Sequence, residues 1–309
     1  MNLMTERDAA RDNANREELR DRIEMFHREE GVVEPMSGIR LTRAMRPSER
    51  IHGISRASLC VIAQGVKEVL LGGRQHIYDS GRYLLATAEL PVTGRIVEAT
   101  ALRPYLAIRL DLEPSMVGSV MVESGLPPTQ GHSKAIIVSE LDSGLLDATV
   151  RLARLLDAPA ETRMLLPLIK REIVFRLLIG EQGNRLRHLP TIGGNSDRVA
   201  QAIDTLHRNY NKPLRIDSLA KELGMSSSGF HHHFKAVTDM SPLQFQKELR
   251  LQEARRLMLG ESLDAASAGY RVGYEDPSHF SRDYKKHFGA PPVQDVGRFR
   301  AMAVPETDV

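Results

Sequence analysis

The chain has 309 residues, of which 41% are apolar and 27% charged, which allows two domains with buried cores and excludes a largely disordered chain. The sequence has no run of 18 apolar residues and no secretory leader, and its single Cys60 excludes an internal disulfide, so we expect a cytoplasmic protein without a membrane-spanning helix. The formal net charge of +2 alone indicates no polyanionic partner, so charge has to be judged locally.

The first part of the sequence predicts a domain rich in β-strands. A charged helix is expected over 17–28, and from Ile39 to about Leu112 short apolar runs alternate with turn residues. Apolar runs of this kind, bounded by Gly, Asp-Ser-Gly or Pro, are typical of strands joined by tight turns. About seven such strands indicate a small antiparallel barrel or sandwich over about 36–113.

From Glu140 onward the apolar residues recur with the period of a helix. One series runs from Leu141 to Leu156, a break follows at Asp157, and a second series runs from Leu166 to Leu177. The pattern predicts an antiparallel helix pair over about 139–182. Residues 183–197 are rich in Gly, Asn and Pro, which is typical of an exposed linker.

Residues 198–309 contain two copies of one helical arrangement. In the first copy, a short helix with Leu219 and Leu223 on its inner side stops at Gly224, and a second helix follows with Ser226 placed as its cap. The second helix has a polar outer face that consists of Ser228, His231, His232 and Lys235. A helix, a tight turn and a second helix with a polar outer face are typical of the helix-turn-helix motif, whose second helix enters the DNA major groove.

The second copy has a longer turn after Gly269. Asp276 is placed to cap the next helix and Pro277 occupies its first position, where the missing N–H is not needed. The outer face of this helix consists of Ser278, Arg282, Lys285 and Lys286. It is therefore a local cluster of positive charge that the small net charge of the chain does not reveal. A helix from Ser241 to Gly260 separates the copies and spans roughly 27 Å. One chain is therefore expected to read two adjacent segments of a duplex.

These motifs resemble a known family. The stretch 265–292, AASAGYRVGYEDPSHFSRDYKKHFGAPP, resembles the signature of AraC-type transcriptional regulators, and the first copy is similar to the family's upstream motif. The N-terminal part resembles the cupin-like domain of one branch of the family at Ser58-Leu59-Cys60-Val61, Gln64-Gly65 and Leu90-Pro91-Val92-Thr93-Gly94. The resemblance covers most of the chain.

The resemblance implies an α+β protein that is a ligand-responsive, sequence-specific DNA-binding transcriptional regulator. It implies a cupin-like antiparallel β-barrel with a helical dimerisation pair over 1–182, a linker over 183–197, and an all-α double helix-turn-helix domain over 198–309. It also implies base contacts from Ser228, His231, His232, Pro277, Ser278 and Arg282, and we expect phosphate contacts from Lys235, Lys285 and Lys286. Many relatives carry Arg at the position of His232, so we expect the first recognition helix to discriminate less sharply between bases.

An effector is expected in the barrel, with candidate contacts from Arg46, Arg50, Cys60, Arg95 and Arg109. We expect the effector to be a small molecule, and the first alternative for its class is an anion. Arg46-Pro-Ser-Glu-Arg50 resembles the RxxxR element with which some barrel proteins bind cyclic dinucleotides, which is a second alternative. Cys60 in an apolar strand is by default a small buried residue, and a thiol that senses aldehydes or oxidants is the third.

Two other classes of protein remain open for this sequence. One is a constitutive DNA-binding protein whose barrel binds nothing, and the other is an enzyme of the cupin class. We expect neither an enzyme nor a cofactor, because the sheet region offers only His52 and His76 as histidine ligands. We also expect no metal at His231, His232 and His233, because consecutive helix positions point apart.

The expected partners are double-stranded DNA, the effector, a second copy of the chain, and RNA polymerase if the protein is an activator; no membrane is expected. The helix pair has two interpretations, packing against the barrel and dimerisation, and we favour dimerisation because the family dimerises through this region. The residues that we expect to contact the second copy are Leu145, Leu152, Leu156, Leu166, Ile173 and Leu177.

Overall fold

The computed structural model of the chain describes residues 3–127, 134–187 and 195–303. Its strands are β1 Gly31–Met36, β2 Ile39–Ala44, β3 Ile51–Ser55, β4 Ser58–Gln64, β5 Val66–Leu71, β6 Arg74–Tyr78, β7 Arg82–Ala86, β8 Leu90–Glu98, β9 Tyr105–Asp111 and β10 Ile136–Glu140. Its helices are α1 Leu3–Phe26, α2 Pro114–Glu123, α3 Ser143–Arg154, α4 Pro159–Ile179, α5 Gly183–Leu186, α6 Asn195–Arg208, α7 Ile216–Glu222, α8 Ser227–Thr238, α9 Pro242–Gly260, α10 Ala265–Arg271, α11 Pro277–Phe288 and α12 Pro292–Ala303.

The chain divides into two compact units, residues 1–197 with 237–239 and residues 198–236 with 240–309. Part of the sequence-predicted linker, 188–194, lies outside the described residues, and α5 occupies its beginning. None of the helices in the described ranges combines the length and the apolar character that crossing a membrane requires.

The N-terminal unit contains two antiparallel sheets, in the orders β1-β2-β9-β4-β7-β10 and β3-β8-β5-β6. Cys60 of β4 pairs with Arg109 of β9, so their side chains lie on the same face of the larger sheet. Tyr78 of the smaller sheet neighbours Cys60, and the two sheets therefore face each other across this pair. The α+β fold with an antiparallel barrel followed by helices is confirmed.

The other face of the larger sheet packs against helices. Leu59, Val61 and Ile108 from the sheet form one apolar core with residues of α1, α2, α3 and α4. The predicted helix pair is present as α3 and α4, but it begins at Ser143, because Ile136–Glu140 forms an edge strand that pairs with β7.

Helix α1 is longer than the sequence pattern indicated. It begins at Leu3 rather than near residue 17, and Leu19 and Ile23 anchor its second half in the core. Ion pairs hold it on α3: Arg154 donates to both oxygens of Glu18 at 2.8 Å. These hydrogen bonds lower the pKa of Glu18 to about 2. The sequence pattern missed the first half because residues 6–14 are exposed or partly exposed, so no buried residue among them marks the helical period.

Candidate DNA-binding and effector sites

The first helix-turn-helix motif consists of α7 and α8. Its core contains Leu219 and Ala220 from α7 and Phe230 and Phe234 from α8, all of them buried. The turn passes through Gly224, which has a left-handed φ of 63°. The hydroxyl of Ser226 accepts a hydrogen bond from the backbone N–H of Gly229 at 3.1 Å, so it caps α8 as the sequence predicted.

The second motif consists of α10 and α11 and repeats the first about 50 residues later. Phe280 and Tyr284 occupy the positions of Phe230 and Phe234, and Gly273, with a φ of 91°, occupies that of Gly224. The carboxylate of Asp276 accepts a hydrogen bond from the N–H of Ser278 at 2.6 Å, and this bond lowers the pKa of Asp276. Asp276 therefore caps α11 with a charge at the helix N-terminus, where the macrodipole favours an anion.

The structure places the predicted DNA-contacting residues on one outer face of each recognition helix. Those that are exposed are Ser228, His232, Lys235, Ser278, Arg282, Lys285 and Lys286. His231 and Pro277 are partly buried on the same helices. His232 and Arg282 occupy equivalent positions, so the first helix presents an imidazole where the second presents a guanidinium.

The second motif contains a buried polar cluster that the sequence pattern did not reveal. Arg255 of α9 donates to Asp295 of α12 at 2.7 Å, and the hydroxyl of Tyr284 donates to the other oxygen of Asp295 at 2.7 Å. The guanidinium of Arg255 also lies 4.4 Å from the ring centre of Phe288 and 4.2 Å from that of Phe299. Burial and the bond to Asp295 raise the pKa of Tyr284. The cluster joins α9, α11 and α12.

The barrel interior contains a second group of polar side chains. Cys60 is buried beside Tyr78 and Tyr105, and burial raises the pKa of both phenols. The hydroxyl of Tyr105 is buried without a hydrogen-bond partner among the described residues. Arg109 lies at the same face, 3.5 Å from Asp111 and 3.3 Å from the carbonyl of Arg56. Cys60 and Arg109 are among the residues predicted from the sequence, whereas the two tyrosines are not, because only the strand pairing shows that they face inward.

The other three predicted effector contacts do not join this group. Glu68 of β5 and Arg95 of β8 are direct partners in the smaller sheet. The next residue along β5, Val69, is buried on the inner face of that sheet, so Glu68 and Arg95 lie on its outer face, outside the barrel. Burial alone would raise the pKa of Glu68, but hydrogen bonds from Arg95 and Gln75 lower it. Arg50 lies 3.7 Å from the same carboxylate, so Arg50 and Arg95 share Glu68. Arg46 is exposed in the preceding loop.

The residues predicted to form a dimer contact lie inside the protomer. Leu145, Leu152, Leu156, Ile173 and Leu177 are buried in its apolar core, and Leu166 packs against that core. We correct their role, because a side chain buried within one chain is not available to a second. The outer face of α4 carries a different apolar series: Met164, Leu168, Phe175 and Ile179, which are 72%, 57%, 39% and 55% exposed.

No cluster of three or more His, Cys, Asp or Glu within the described ranges is arranged to hold a metal ion. His52 instead shares a hydrogen bond of 2.9 Å with Thr93.

Comparisons with known proteins agree with this arrangement. A family model described as the AraC-type transcriptional regulator N-terminus matches residues 35–185, and one described as a helix-turn-helix domain matches residues 219–296. The HTH-type transcriptional regulator ArgR of Pseudomonas aeruginosa is 27% identical over 135 residues, which are 44% of this chain and 41% of that protein. The chain thus spans less than half the length of this relative.

Solved structures of ToxT from Vibrio cholerae show a similar fold. An apo form of a ToxT point variant has a TM-score of 0.52 at 9% identity, over 85% of this chain and 98% of that chain. The wild-type protein described as bound to an unsaturated fatty acid has a TM-score of 0.51 at 8% identity, over 84% of this chain and 94% of that chain.

The barrel followed by two helix-turn-helix motifs defines a transcription regulator with a DNA-binding domain. The two family models and the relatives make the identification specific. The chain belongs to the AraC-type transcriptional regulators.

Proposed function

We propose that the protein binds duplex DNA through both helix-turn-helix motifs and regulates transcription in response to a small molecule bound in the barrel. The observation that carries the proposal is the pair of exposed polar faces on α8 and α11, each held by a buried aromatic stripe. Lys235, Lys285 and Lys286 supply salt-dependent phosphate contacts, while Ser278, Arg282 and His232 face the base edges. Because the partner is DNA, we propose a cytoplasmic protein.

The first test is binding of the purified chain to its own upstream region, measured over a range of salt concentrations. We expect specific binding that weakens as salt rises, and Arg282→Ala is expected to reduce affinity for the specific site by about 10- to 100-fold. Arg256→Ala on α9 serves as the matched control, since Arg256 pairs with Glu253 and Glu261 on the exposed side. Equal binding to specific and random duplexes would contradict the proposal.

The effector site that we propose is the barrel interior around Tyr105. Its hydroxyl, the Cys60 thiol and the Arg109 guanidinium are the polar groups that a ligand would meet, and Ile62 and Leu84 of the same sheet face are apolar. This combination suits a small molecule with an apolar body and an acceptor or carboxylate group. An unsaturated fatty acid is described for one ToxT structure, so fatty acids are the first class to test.

The effector is sought by adding carboxylates, aldehydes and cyclic dinucleotides to the DNA-binding assay. We expect Tyr105→Phe and Arg109→Met to remove the response while leaving DNA binding without effector unchanged. Cys60→Ser should keep the response, because the serine hydroxyl leaves a polar group of similar size at the same place. Loss of the response in Cys60→Ser alone would favour the thiol sensor, and loss in Arg50→Ala alone would favour a cyclic dinucleotide.

We further propose that the protein forms a homodimer through the outer face of α4. Met164, Leu168, Phe175 and Ile179 recur at intervals of four and seven residues, which is the spacing of a helix seam that packs against another helix. We expect Leu168→Glu to convert the dimer to a monomer in analytical ultracentrifugation. Leu102→Glu is the matched control, since Leu102 is 95% exposed in a loop of the same unit. A dimer that persists in Leu168→Glu would overturn this contact.

If the protein is an activator, RNA polymerase is its further partner.

A further inference from the structure

The middle of α9 carries two polar residues that hydrogen-bond to backbone outside the helix: Gln246 and Arg250 both contact the segment after α6, and Arg250 also contacts the turn of the second motif. The first half of α9 packs on the first motif, where Phe245 lies 5.3 Å from the ring of Phe234. The second half packs on the second motif through Ala254 and Met258. Gln246 and Arg250 lie between these two halves, one helical turn apart.

Arg250 donates hydrogen bonds to backbone carbonyls from two separate segments. Its guanidinium donates to Tyr210 at 2.6 Å and to Lys212 at 2.9 Å, both in the segment that follows α6. It also donates to Gly273, in the turn of the second motif, at 3.0 Å. Gln246 donates to the same two carbonyls of the first segment, at 3.0 Å from Tyr210 and 2.7 Å from Lys212.

The two segments approach each other closely at this point. A Cβ atom on Gly273 would lie 2.1 Å from the carbonyl oxygen of Asn211, so only glycine fits there. The carbonyls of Tyr210 and Lys212 lie in the segment after α6, and Gln246 and Arg250 supply their hydrogen-bond donors. Arg250 is half buried, and burial lowers its pKa.

The contact continues to the second recognition helix. The guanidinium of Arg250 lies 5.9 Å from the ring centre of Tyr274, whose hydroxyl donates to Asp283 of α11 at 3.3 Å. Lys247 of α9 reaches the same carboxylate at 3.4 Å. Asp283 is the neighbour of Arg282, so this series of contacts fixes the rotation of α11 against α9.

We propose that Arg250 is a positioning residue that sets the spacing and rotation of the two recognition helices, so that one protomer binds two DNA segments at a single separation. The proposal rests on the DNA-binding function proposed above. Arginine is required because its planar group offers several donors in a fixed fork, whereas lysine cannot reach three carbonyls in two segments at once.

The test uses the full-length chain and a duplex that it selects from a random pool, with its two contacted segments mapped by footprinting. One base pair is then inserted between the segments or removed. We expect the wild type to bind both altered duplexes about 30-fold more weakly than the selected one, since only one motif can then dock correctly. Arg250→Met is expected to bind the selected duplex about tenfold more weakly and to lose most of the discrimination between spacings.

The controls separate positioning from folding and from DNA binding itself. Arg256→Met, on the exposed side of the same helix, is expected to behave as the wild type. Arg250→Lys keeps the charge and is expected to resemble Arg250→Met, and it replaces that variant if the latter does not fold. Failure of the wild type to select any duplex overturns the DNA-binding function. Unchanged spacing discrimination in folded Arg250→Met and Arg250→Lys overturns the positioning role alone.

Discussion

The two helix-turn-helix motifs have the same backbone plan but carry different residues at four equivalent positions. In the first core, Phe234 packs edge to face against Phe245, and in the second the same two positions hold Tyr284 and Asp295, which share a hydrogen bond. The cap of the recognition helix is the neutral Ser226 in one motif and the ionised Asp276 in the other. On the outer face, His232 of the first motif occupies the position that Arg282 occupies in the second.

The features that the two motifs share, by contrast, show what the motif itself requires. Both copies keep a glycine in the turn, an aromatic residue at the first stripe position and a capping oxygen, because turn geometry, burial and the free N–H groups of the helix demand them. The remaining positions are free to carry different chemistry. Changes at equivalent positions in the two motifs therefore separate the requirements of the fold from those of function.

The largest effect is expected for the buried ion pair of the second motif. Asp295→Ala leaves Arg255 buried without its carboxylate, so we expect the free energy of unfolding to fall by about 3–5 kcal/mol. Urea denaturation of the full chain measures the loss, and hydrogen exchange should locate it in α11 and α12.

The matched variant replaces the whole cluster with apolar residues, as in the first motif. Because a buried ion pair often contributes little over a well-packed apolar group, Arg255→Met/Asp295→Leu/Tyr284→Phe should unfold within about 2 kcal/mol of the wild type. A loss in the triple variant as large as that in Asp295→Ala would show that the second motif depends on the charges themselves.

The two turn glycines provide the next comparison. Gly273→Ala should lower the free energy of unfolding by about 2–4 kcal/mol, because its φ is 91° and the new methyl group would meet the carbonyl of Asn211. Gly224→Ala should cost only about 1–2 kcal/mol, since the nearest neighbour of a Cβ there is Arg198 at 4.0 Å. Thermal unfolding of both variants measures the difference, and equal losses would contradict the close approach at Gly273.

A smaller effect is expected when the outer faces are exchanged. His232→Arg places a permanent charge and a planar fork of donors on the first recognition helix, so DNA affinity should rise by about threefold, and Arg282→His should lower it. Fluorescence anisotropy with the selected duplex measures both, with Arg256→Ala on the exposed side of α9 as the control that keeps the wild-type affinity. An unchanged affinity in His232→Arg would contradict a DNA contact at this position.

The smallest effect concerns the caps. The pKa of Asp276 is lowered in the folded chain, so its contribution to stability is fully present above about pH 4 and is lost as the pH falls through the folded pKa. Ser226 has no charge to lose. In an acid titration followed by NMR, the amide of Ser278 should therefore shift before global unfolding, and that of Gly229 should not. A parallel shift of both amides would contradict this prediction.

The sequence predicted the elements whose evidence is local. The strand runs, the capping residues Ser226 and Asp276 and the outward residues of both recognition helices follow from periodicity and turn chemistry within about a dozen positions. The strand pattern predicted a barrel or a sandwich, and the family resemblance narrowed this to a cupin-like barrel.

The remaining features depend on contacts between distant parts of the chain. Asp295 resembles an ordinary surface acid until Arg255, 40 residues away, is seen beside it. Tyr78 and Tyr105 face the barrel interior only because of strand register, which the sequence does not specify. The spacing of the leucines in α3 and α4 correctly predicted an apolar face on each helix. The spacing alone did not distinguish a core within one chain from a contact with a second chain.

The rigid helix α9 joins two unlike DNA-reading motifs, and this gives the protein a direction along DNA. Under the proposed function, a duplex segment turned end for end would still be bound through the same bases, but the bound protein would then point in the opposite direction along the DNA. If the protein is an activator that contacts RNA polymerase, we therefore expect its site to work in one orientation only. Inverting the site in place tests this with no change in base composition or in distance to the start of transcription.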